Sequence, residues 1–244
     1  MPSTAELISL VDADPDLAEM LDKEERERAR RHALTRVKAL SVGEWDALVA
    51  HQPDIHHRGF LVISGLLARE VEVLDRRCVE LLGHGDVLRP WSWDTEGSHV
   101  RAEVGWMVLE PTRLAVLDHG LVRRINPWPE LGLELFARGT RRAHFLSVTL
   151  AIAHHPRVED RLLLTLWHLA DRFGRVRPDG IVVPLPLPHQ RLADLVGSHR
   201  PSVTAALGEL AREGAISRGE NGTWVLHGAP PAKLRHHRFA TAAS

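Results

Sequence analysis

The sequence predicts an α+β protein: an N-terminal antiparallel β-barrel of jelly-roll type with flanking helices, then a long helix, then a C-terminal winged helix-turn-helix. Three observations predict this fold. Short Val- and Leu-rich runs with Gly-rich turns lie between residues 58 and 118, as in an antiparallel barrel or sandwich. A heptad-like helical pattern covers 130–155. Two short amphipathic helices flank Gly197 and precede a two-residue hairpin signal.

The composition sets the broad class of protein. The chain has 244 residues, of which 44% are hydrophobic and 26% are charged, so it is neither largely disordered nor fibrous. Cys78 is the single cysteine, which excludes a disulfide scaffold and an iron–sulfur site. No apolar stretch reaches the roughly 18 residues that span a bilayer, and the N-terminus lacks the pattern of a signal peptide. We therefore expect a cytoplasmic protein with no membrane contact.

The charges are distributed unevenly along the chain. The formal net charge is −1, which by itself argues against binding nucleic acid. Residues 1–119 nevertheless contain 14 Lys and Arg against 22 Asp and Glu, whereas residues 120–244 contain 17 against 10. An acidic first half and a basic second half indicate two domains with different partners.

The first half begins with a predicted helix over residues 14–40, because Pro15 suits a first turn and acidic residues precede basic ones. Further along, the apolar runs VGWMV and RLAVLD flank Glu110-Pro111-Thr112, which resembles a hairpin turn. We therefore expect several short strands joined by tight turns in this region.

The pattern at 130–155 predicts a helix with more than one apolar face. One face has residues at 4,3,4,3 spacing: Gly139, Ala143, Leu146, Leu150 and Ala153. This face either packs inside the subunit or lies against the same helix of a second copy, and the pattern leaves both open. A second amphipathic helix follows at 157–174, and then an extended Pro-rich segment, IVVPLPLP.

The most informative segment runs from His189 to His227. Leu192, Leu195 and Val196 form the apolar stripe of one short helix, and Gly197 allows the positive φ of a tight turn. Ser198 or His199 then caps a second helix that has Pro201 in its first turn. That second helix has its own apolar stripe: Val203, Ala206, Leu207 and Leu210. Asn221-Gly222 between two apolar runs predicts the hairpin of a winged helix-turn-helix.

This geometry predicts binding to double-stranded DNA. The second helix can enter the major groove with its N-terminal residues on base edges, and an Arg at that end, Arg200, can donate two hydrogen bonds to a guanine. The side chains suited to phosphate contacts are Gln190, Ser202 and Thr204 on the helices and Asn221 and Thr223 in the wing. The alternative is a helical hairpin that only packs, with Arg200 as an ordinary surface residue.

At these residues the chain resembles the Crp–Fnr family of bacterial transcription regulators. The likeness is strongest over HQRLADLVGSHRPSVTAALGELAREGAI, and a weaker likeness in GFLVISGLLAREVEVLD and LLGHGDVL extends it to the family's cyclic-nucleotide-binding-like barrel. The resemblance implies a homodimer joined by the long helix, with one recognition helix for each half-site of DNA. It also implies DNA-facing positions, which in this chain are Gln190, His199, Arg200, Pro201, Ser202 and Ala205.

The chain departs from the family's pattern in two places, the second helix of the helix-turn-helix and the barrel segment. Pro201 and Ala205 stand where members often have an acidic residue and an Arg, so we expect a different operator with more of the readout on Arg200. In the barrel, Gly85-Asp86 is not followed by the Gly-Glu pair of the members that bind cyclic nucleotides, and Arg101-Ala102 is only an approximate match to their phosphate-binding Arg. We therefore expect no cofactor, and either an unknown effector or none, with cyclic AMP a doubtful ligand. The candidate effector contacts are Trp91, Trp93 and Arg101.

Other groups of residues give weaker indications of a metal, ligand or catalytic site. The adjacent His pairs, such as His56-His57, point apart on a helix or strand, so we predict no metal site. Trp91, Trp93 and Trp106 either line a ligand pocket or fill a core that has few other aromatic residues. Haem bound by Cys78 and a His is a further option. No Ser/His/Asp order, P-loop or GxGxxG is present, and we predict no catalytic residue.

Together these observations predict four segments: a barrel domain at 1–129, a connecting and dimerisation helix at 130–156, a winged helix-turn-helix at 157–230 and a basic tail at 231–244. We expect a homodimeric, sequence-specific transcription regulator and not an enzyme. RNA polymerase and a small-molecule effector are its further candidate partners. The alternative is a cupin-like barrel, an enzyme or a binder of metals or small molecules, whose C-terminal unit mediates protein contacts.

Overall fold

The computed structural model describes residues 6–47, 57–90, 99–219 and 222–230. The chain divides into two compact units, Met1–Leu146 and Ser147–Ser244. The described strands and helices of the first unit are β1 Leu7–Ser9, α1 Leu10–Ala13, a 3-10 helix Pro15–Ala18, α2 Lys23–His32, β2 Leu34–Leu40, β3 Gly43–Glu44, β4 His57–Val73, β5 Arg76–Leu82, β6 Val87–Leu88, β7 Glu103–Asp118 and α3 His119–Ile125. Helix α4, Pro129–Ala153, crosses the boundary between the units.

The described strands of the first unit form one antiparallel sheet in the order β1-β2-β7-β4-β5, with β3 paired to β7 and β6 paired to β4. Strands β4 and β7 are long, with 17 and 16 residues. The prediction of an α+β fold with an antiparallel N-terminal domain is therefore confirmed, although two of the strands are much longer than the short ones expected.

Alternate residues of β4 supply two hydrophobic clusters, because successive side chains of a strand point to opposite faces. Leu61 and Ile63 belong to a cluster with residues of α1, α2 and α3, whereas Phe60 and Val62 belong to a cluster with Trp45 and other strand residues. The buried Trp106 ring lies 5.7 Å from that of Trp45 in an edge-on contact. Of the two interpretations of Trp106, core filling is therefore the one observed.

The prediction of a hairpin turn at Glu110-Pro111-Thr112 is wrong, since strand β7 continues through these residues. The register of the β4–β7 pairing shifts opposite this point, between Val62 and Leu67. Gly65 lies in the shifted segment with a φ of +91°, and a Cβ there would lie 2.4 Å from the Pro111 carbonyl oxygen. A bulged partner strand thus accommodates the proline, which cannot donate to a strand ladder.

The predicted helix over 14–40 is also only partly correct. Helix α2 begins with a capping box, in which the Asp22 and Glu25 side chains each accept from the other residue's backbone N–H. It ends at His32, and residues 34–40 then form β2, which pairs with β1 and β7. The pairing partners lie far along the chain, so the local charge pattern did not reveal this strand.

The second unit contains the predicted helices and wing. Its elements after α4 are α5 Val158–Phe173, β8 Arg175–Arg177, β9 Gly180–Val183, α6 His189–Leu195, α7 Arg200–Arg212, β10 Ile216–Arg218 and β11 Trp224–Leu226. The strands form an antiparallel sheet in the order β10-β11-β9-β8. Helix α5 contacts α7 and β9 and contributes a buried apolar face that includes Leu162, Leu166 and Leu169.

Candidate nucleic-acid interface

Helices α6 and α7 form the predicted helix-turn-helix. Leu192, Leu195, Val203 and Leu210 are all buried. The turn contains Gly197 with a φ of +59°. A Cβ at Gly197 would meet nothing within 4 Å, so the backbone conformation, and not crowding, favours glycine there. The prediction of this motif is confirmed.

The first turns of α7 face solvent. His199 lies at the N-cap position but makes no side-chain cap hydrogen bond. The predicted DNA-facing residues that follow are all exposed: Arg200, Pro201, Ser202, Thr204 and Ala205. Arg200 has no carboxylate partner in the described part of the chain, in contrast to Arg212 at the other end of the helix, which pairs with Glu209. The free guanidinium therefore sits where a recognition helix contacts bases.

Two of the side chains predicted to contact DNA phosphates form hydrogen bonds within the protein. The exposed Gln190 donates from Nε2 to Asp194 Oδ1 over 3.0 Å. The Thr204 hydroxyl donates to the Arg200 carbonyl oxygen over 3.0 Å and also contacts His189 Nδ1 at 2.9 Å. Both side chains would have to exchange these bonds before they could contact a phosphate.

The wing is present as the antiparallel pair β10–β11, in which Arg218 pairs with Trp224 and the Gly219 N–H donates to the Thr223 carbonyl oxygen over 2.9 Å. The buried Trp224 donates from Nε1 to the Leu187 carbonyl oxygen over 3.3 Å, which ties the wing to the Pro-rich segment. Thr223 is half-buried, and Asn221 lies outside the described residues.

His189 and Arg218 are two residues near α7 that the sequence did not single out for DNA. The His189 ring contacts Thr204 of α7, accepts from Arg218 Nη1 at 3.4 Å and lies 6.2 Å from the Trp224 ring. Burial lowers the pKa of His189, and the nearby cations of Arg218 and Arg200 lower it further. No spacing rule connects these positions, because three separate elements bring them together.

Of the three candidate effector residues, the structure describes only Arg101. Trp91 and Trp93 lie outside the described residues, and Arg101 is exposed before β7. The Gly85-Asp86 turn is formed, with the Gly83 N–H donating to Asp86 Oδ2 over 2.8 Å. The described residues contain no group of three or more His, Cys, Asp or Glu that could hold a metal.

A buried ion cluster connects α4 to the sheet of the first unit. The Glu80 carboxylate on β5 accepts from Arg142 of α4 over 2.6 and 2.7 Å and pairs with Arg69 of β4 at 3.0 Å. Arg142 also donates to the Val87 carbonyl oxygen over 3.0 Å. One turn earlier, Arg138 contacts both oxygens of the buried Asp14 at 2.8 and 2.9 Å.

The predicted dimerisation stripe of α4 is largely exposed in the single chain. Gly139, Ala143, Leu150 and Ala153 are exposed and Leu146 is half-buried. Phe136, 76% exposed, extends the apolar surface by one turn. The half of α4 in the first unit thus has both a face that forms ion pairs and an open apolar face.

No described helix is long and apolar enough to cross a membrane.

Comparison with known proteins identifies the C-terminal domain. Residues 160–229 match the Crp-like helix-turn-helix domain family. The anaerobic regulatory protein of Bacillus subtilis (strain 168) is 39% identical over 66 residues, which are 27% of this chain and 28% of that protein. The chain spans less than half the length of the curated relatives it matches, between 28% and 48%.

Solved structures extend the likeness to most of the chain. A cyclic nucleotide-binding domain containing protein from Listeria monocytogenes EGD-e matches with a TM-score of 0.63 at 17% identity, over 87% of this chain and 96% of that one. A transcriptional regulator of the CRP family from Thermus thermophilus matches with a TM-score of 0.53 at 20% identity, over 78% and 92%. Residues 160–229 therefore match a Crp-like helix-turn-helix domain, in a chain whose fold is similar to that of a solved CRP-family transcriptional regulator.

Proposed function

We propose that the protein is a sequence-specific transcription regulator that binds double-stranded DNA through α7 and acts as a homodimer. The observation that carries the proposal is the start of α7, where Arg200, which pairs with no carboxylate among the described residues, and the small side chains of Ser202 and Ala205 lie exposed above a buried apolar face. A helix with that arrangement can enter the major groove without unfolding its own core.

The open face of α4 supports a second copy of this chain as the partner. Its small residues, Gly139 and Ala143, allow two backbones to approach, and Leu150, 63% exposed, supplies apolar area. Two copies joined along this face would present two recognition helices to half-sites about one helical turn apart.

The remaining partners follow from this proposal. We propose RNA polymerase as a further partner, and we propose that the chain is itself not an enzyme. We also propose the cytoplasm as its location and the first unit as the binding domain for an effector other than cyclic AMP, with Trp91, Trp93 and Arg101 as its candidate contacts.

Footprinting of the full-length protein on genomic DNA fragments tests the function, with light scattering as the test of the assembly. We expect protected sites with two-fold related halves and a particle of two chains. Absence of any protected site, together with the mass of a single chain, would contradict the proposal.

A further inference from the structure

His189 is the junction of three elements of the DNA-binding domain. Its ring contacts Thr204 on α7 through Nδ1 at 2.9 Å, and its Nε2 lies 3.4 Å from Arg218 Nη1 on β10. The ring also lies 6.2 Å from Trp224 on β11, over which the Arg218 guanidinium sits at 5.3 Å. The ring therefore touches both the recognition helix and the wing.

The hydrogen bonds define which form of the ring the free protein holds. A guanidinium can only donate, so Nε2 accepts from Arg218 and the proton of the neutral ring is on Nδ1. Nδ1–H then donates to the Thr204 hydroxyl, whose own proton goes to the Arg200 carbonyl oxygen over 3.0 Å. All donors in this chain of hydrogen bonds have acceptors while Nε2 is unprotonated. A proton on Nε2 would leave the Arg218 N–H without its acceptor on the ring.

The charges around the ring are cationic. Arg200 faces it from α7 and Arg218 faces it from β10, while Trp224 of β11 is uncharged. On the ring's own helix, the Asp194 carboxylate accepts from Gln190. No carboxylate pairs with Arg200 or Arg218 in the described part of the chain. An anion that reached Nε2 would therefore meet the Arg218 guanidinium and a ring able to gain a proton, with the positive charge of Arg200 nearby.

We propose that a DNA backbone phosphate binds between His189 and Arg218 and that the ring takes up a proton at Nε2 when it does so. The proton comes from solvent, and no other bond forms or breaks. In the complex, Nε2–H and the Arg218 guanidinium both donate to the phosphate, while Nδ1–H keeps its bond to Thr204. This inference rests on the proposed DNA-binding function and adds a proton to its binding equilibrium.

The direction of the pH effect follows from linkage. Burial and the two arginines hold the pKa of His189 below its ordinary value in the free protein, and a phosphate raises the pKa of the ring in the complex. The gain in affinity is complete below the pKa of the free protein and is lost as the pH rises through the pKa of the complex. Affinity for DNA should therefore increase by about threefold to tenfold between about pH 8 and about pH 6.

Anisotropy titrations of the full-length protein at constant ionic strength measure how its affinity for DNA depends on pH. The titrations use a labelled duplex of about 30 base pairs that spans two half-sites and a random duplex of equal length. The variant His189→Asn retains a donor near Nδ1 but does not titrate in this range, and we expect a clearly smaller pH slope. His189→Lys carries a permanent charge and should bind tightly at both ends of the range. His155→Asn, at an exposed position after α4, is the matched control and should keep the wild-type slope.

Calorimetry near pH 7 in two buffers of different ionisation enthalpy counts the protons directly. We expect proton uptake on DNA binding by the wild type and by His155→Asn, and less uptake by His189→Asn. A His189→Asn variant that loses affinity equally at every pH and keeps the wild-type proton uptake overturns the inference but leaves DNA binding intact. Failure of the wild type to bind either duplex at any pH overturns the proposed function itself.

Discussion

At the scale of single residues, the two ends of α7 carry the same residue type in different surroundings. Arg200 begins the helix, exposed and without a carboxylate partner among the described residues, whereas Arg212 ends it and pairs with Glu209. Pro201 and Ala205 offer no side-chain donor to a base edge. We therefore expect base readout by this helix to be concentrated on Arg200.

Substitution of Arg200→Ala should cost about 1–3 kcal/mol of affinity for the specific site and reduce discrimination between that site and random DNA. The reason is the loss of two hydrogen bonds from the Arg200 guanidinium to a guanine. Competition binding against random duplex measures the discrimination. Arg212→Ala removes the same group from the far end of the helix and should leave the ratio unchanged. Equal ratios for wild type and Arg200→Ala would exclude Arg200 as a base reader.

At the scale of elements, α4 combines two kinds of surface. Arg138 and Arg142 lie four residues apart and form ion pairs with Asp14 and Glu80 in the first unit. The apolar stripe from Gly139 to Ala153 is largely exposed, with Leu146 half-buried. We expect these ion pairs to hold the first-unit part of the helix in one rotation about its own axis and so to favour the same apolar face for the proposed contact with a second copy.

The open stripe predicts the effect of a charge on assembly. Leu150→Glu should convert the proposed dimer to particles of one chain, 27.3 kDa, because an apolar interface cannot solvate a carboxylate. His144→Glu, exposed on another side of the same helix, should remain dimeric. Light scattering coupled to size exclusion measures both. A dimeric Leu150→Glu would place the interface elsewhere.

The ion cluster makes a separate prediction about stability. Glu80 is 8% exposed and neutralises both Arg69 and Arg142. Glu80→Gln should reduce the free energy of unfolding of the first unit by about 3–5 kcal/mol, because it removes the carboxylate that the two buried guanidinium groups share.

Urea unfolding followed by tryptophan fluorescence measures this loss. The matched control is Glu72→Gln on β4, since Glu72 pairs with Arg77 at the surface. Such exposed pairs contribute only about 0–1 kcal/mol, so the control should unfold close to the wild type. Equal stability of the two variants would show that the cluster does not hold α4 in place.

At the scale of the whole molecule, the near-zero net charge conceals the asymmetry between an acidic first half and a basic second half. The helix-turn-helix and wing themselves carry nearly equal numbers of basic and acidic side chains. Few of their side chains are therefore available to neutralise phosphates. Affinity should therefore depend on a small number of identifiable cations, together with those of neighbouring segments.

The salt dependence of binding tests this distribution. The logarithm of the affinity should fall linearly with the logarithm of salt concentration, and Arg218→Gln should reduce the slope by about one. Base discrimination should stay at the wild-type value, because a phosphate contact carries no sequence information. Arg212→Gln serves as control and should keep the wild-type slope. A full slope for Arg218→Gln would remove Arg218 from the interface.

Much of this architecture was predictable because its signals are local. The stripe of Val203, Leu207 and Leu210 has helical period, Gly197 follows the first helix, and the wing has alternating strands, so each part of the DNA-binding domain is encoded within about ten residues. The long helix was predicted within two residues of its observed bounds, Pro129–Ala153. These are patterns that a short segment shows without its neighbours.

The errors arose where the decisive partner is distant in sequence. Residues 34–40 follow a helix and become a strand because β1 and β7 pair with them, and Pro111 continues a strand because Gly65 opposite can bulge. The junction of His189 with Thr204 and Arg218 likewise comes from three elements.

By itself, the sequence determined the helix-turn-helix, the exposed Arg200 end of α7 and the apolar stripe of α4, since amphipathic period and turn chemistry are properties of contiguous residues. Only the tertiary structure decided which strands are long, which cations share a carboxylate and which ring links the wing to the recognition helix. Those contacts depend on pairings between distant segments, and a linear pattern of charge and hydropathy does not specify such pairings.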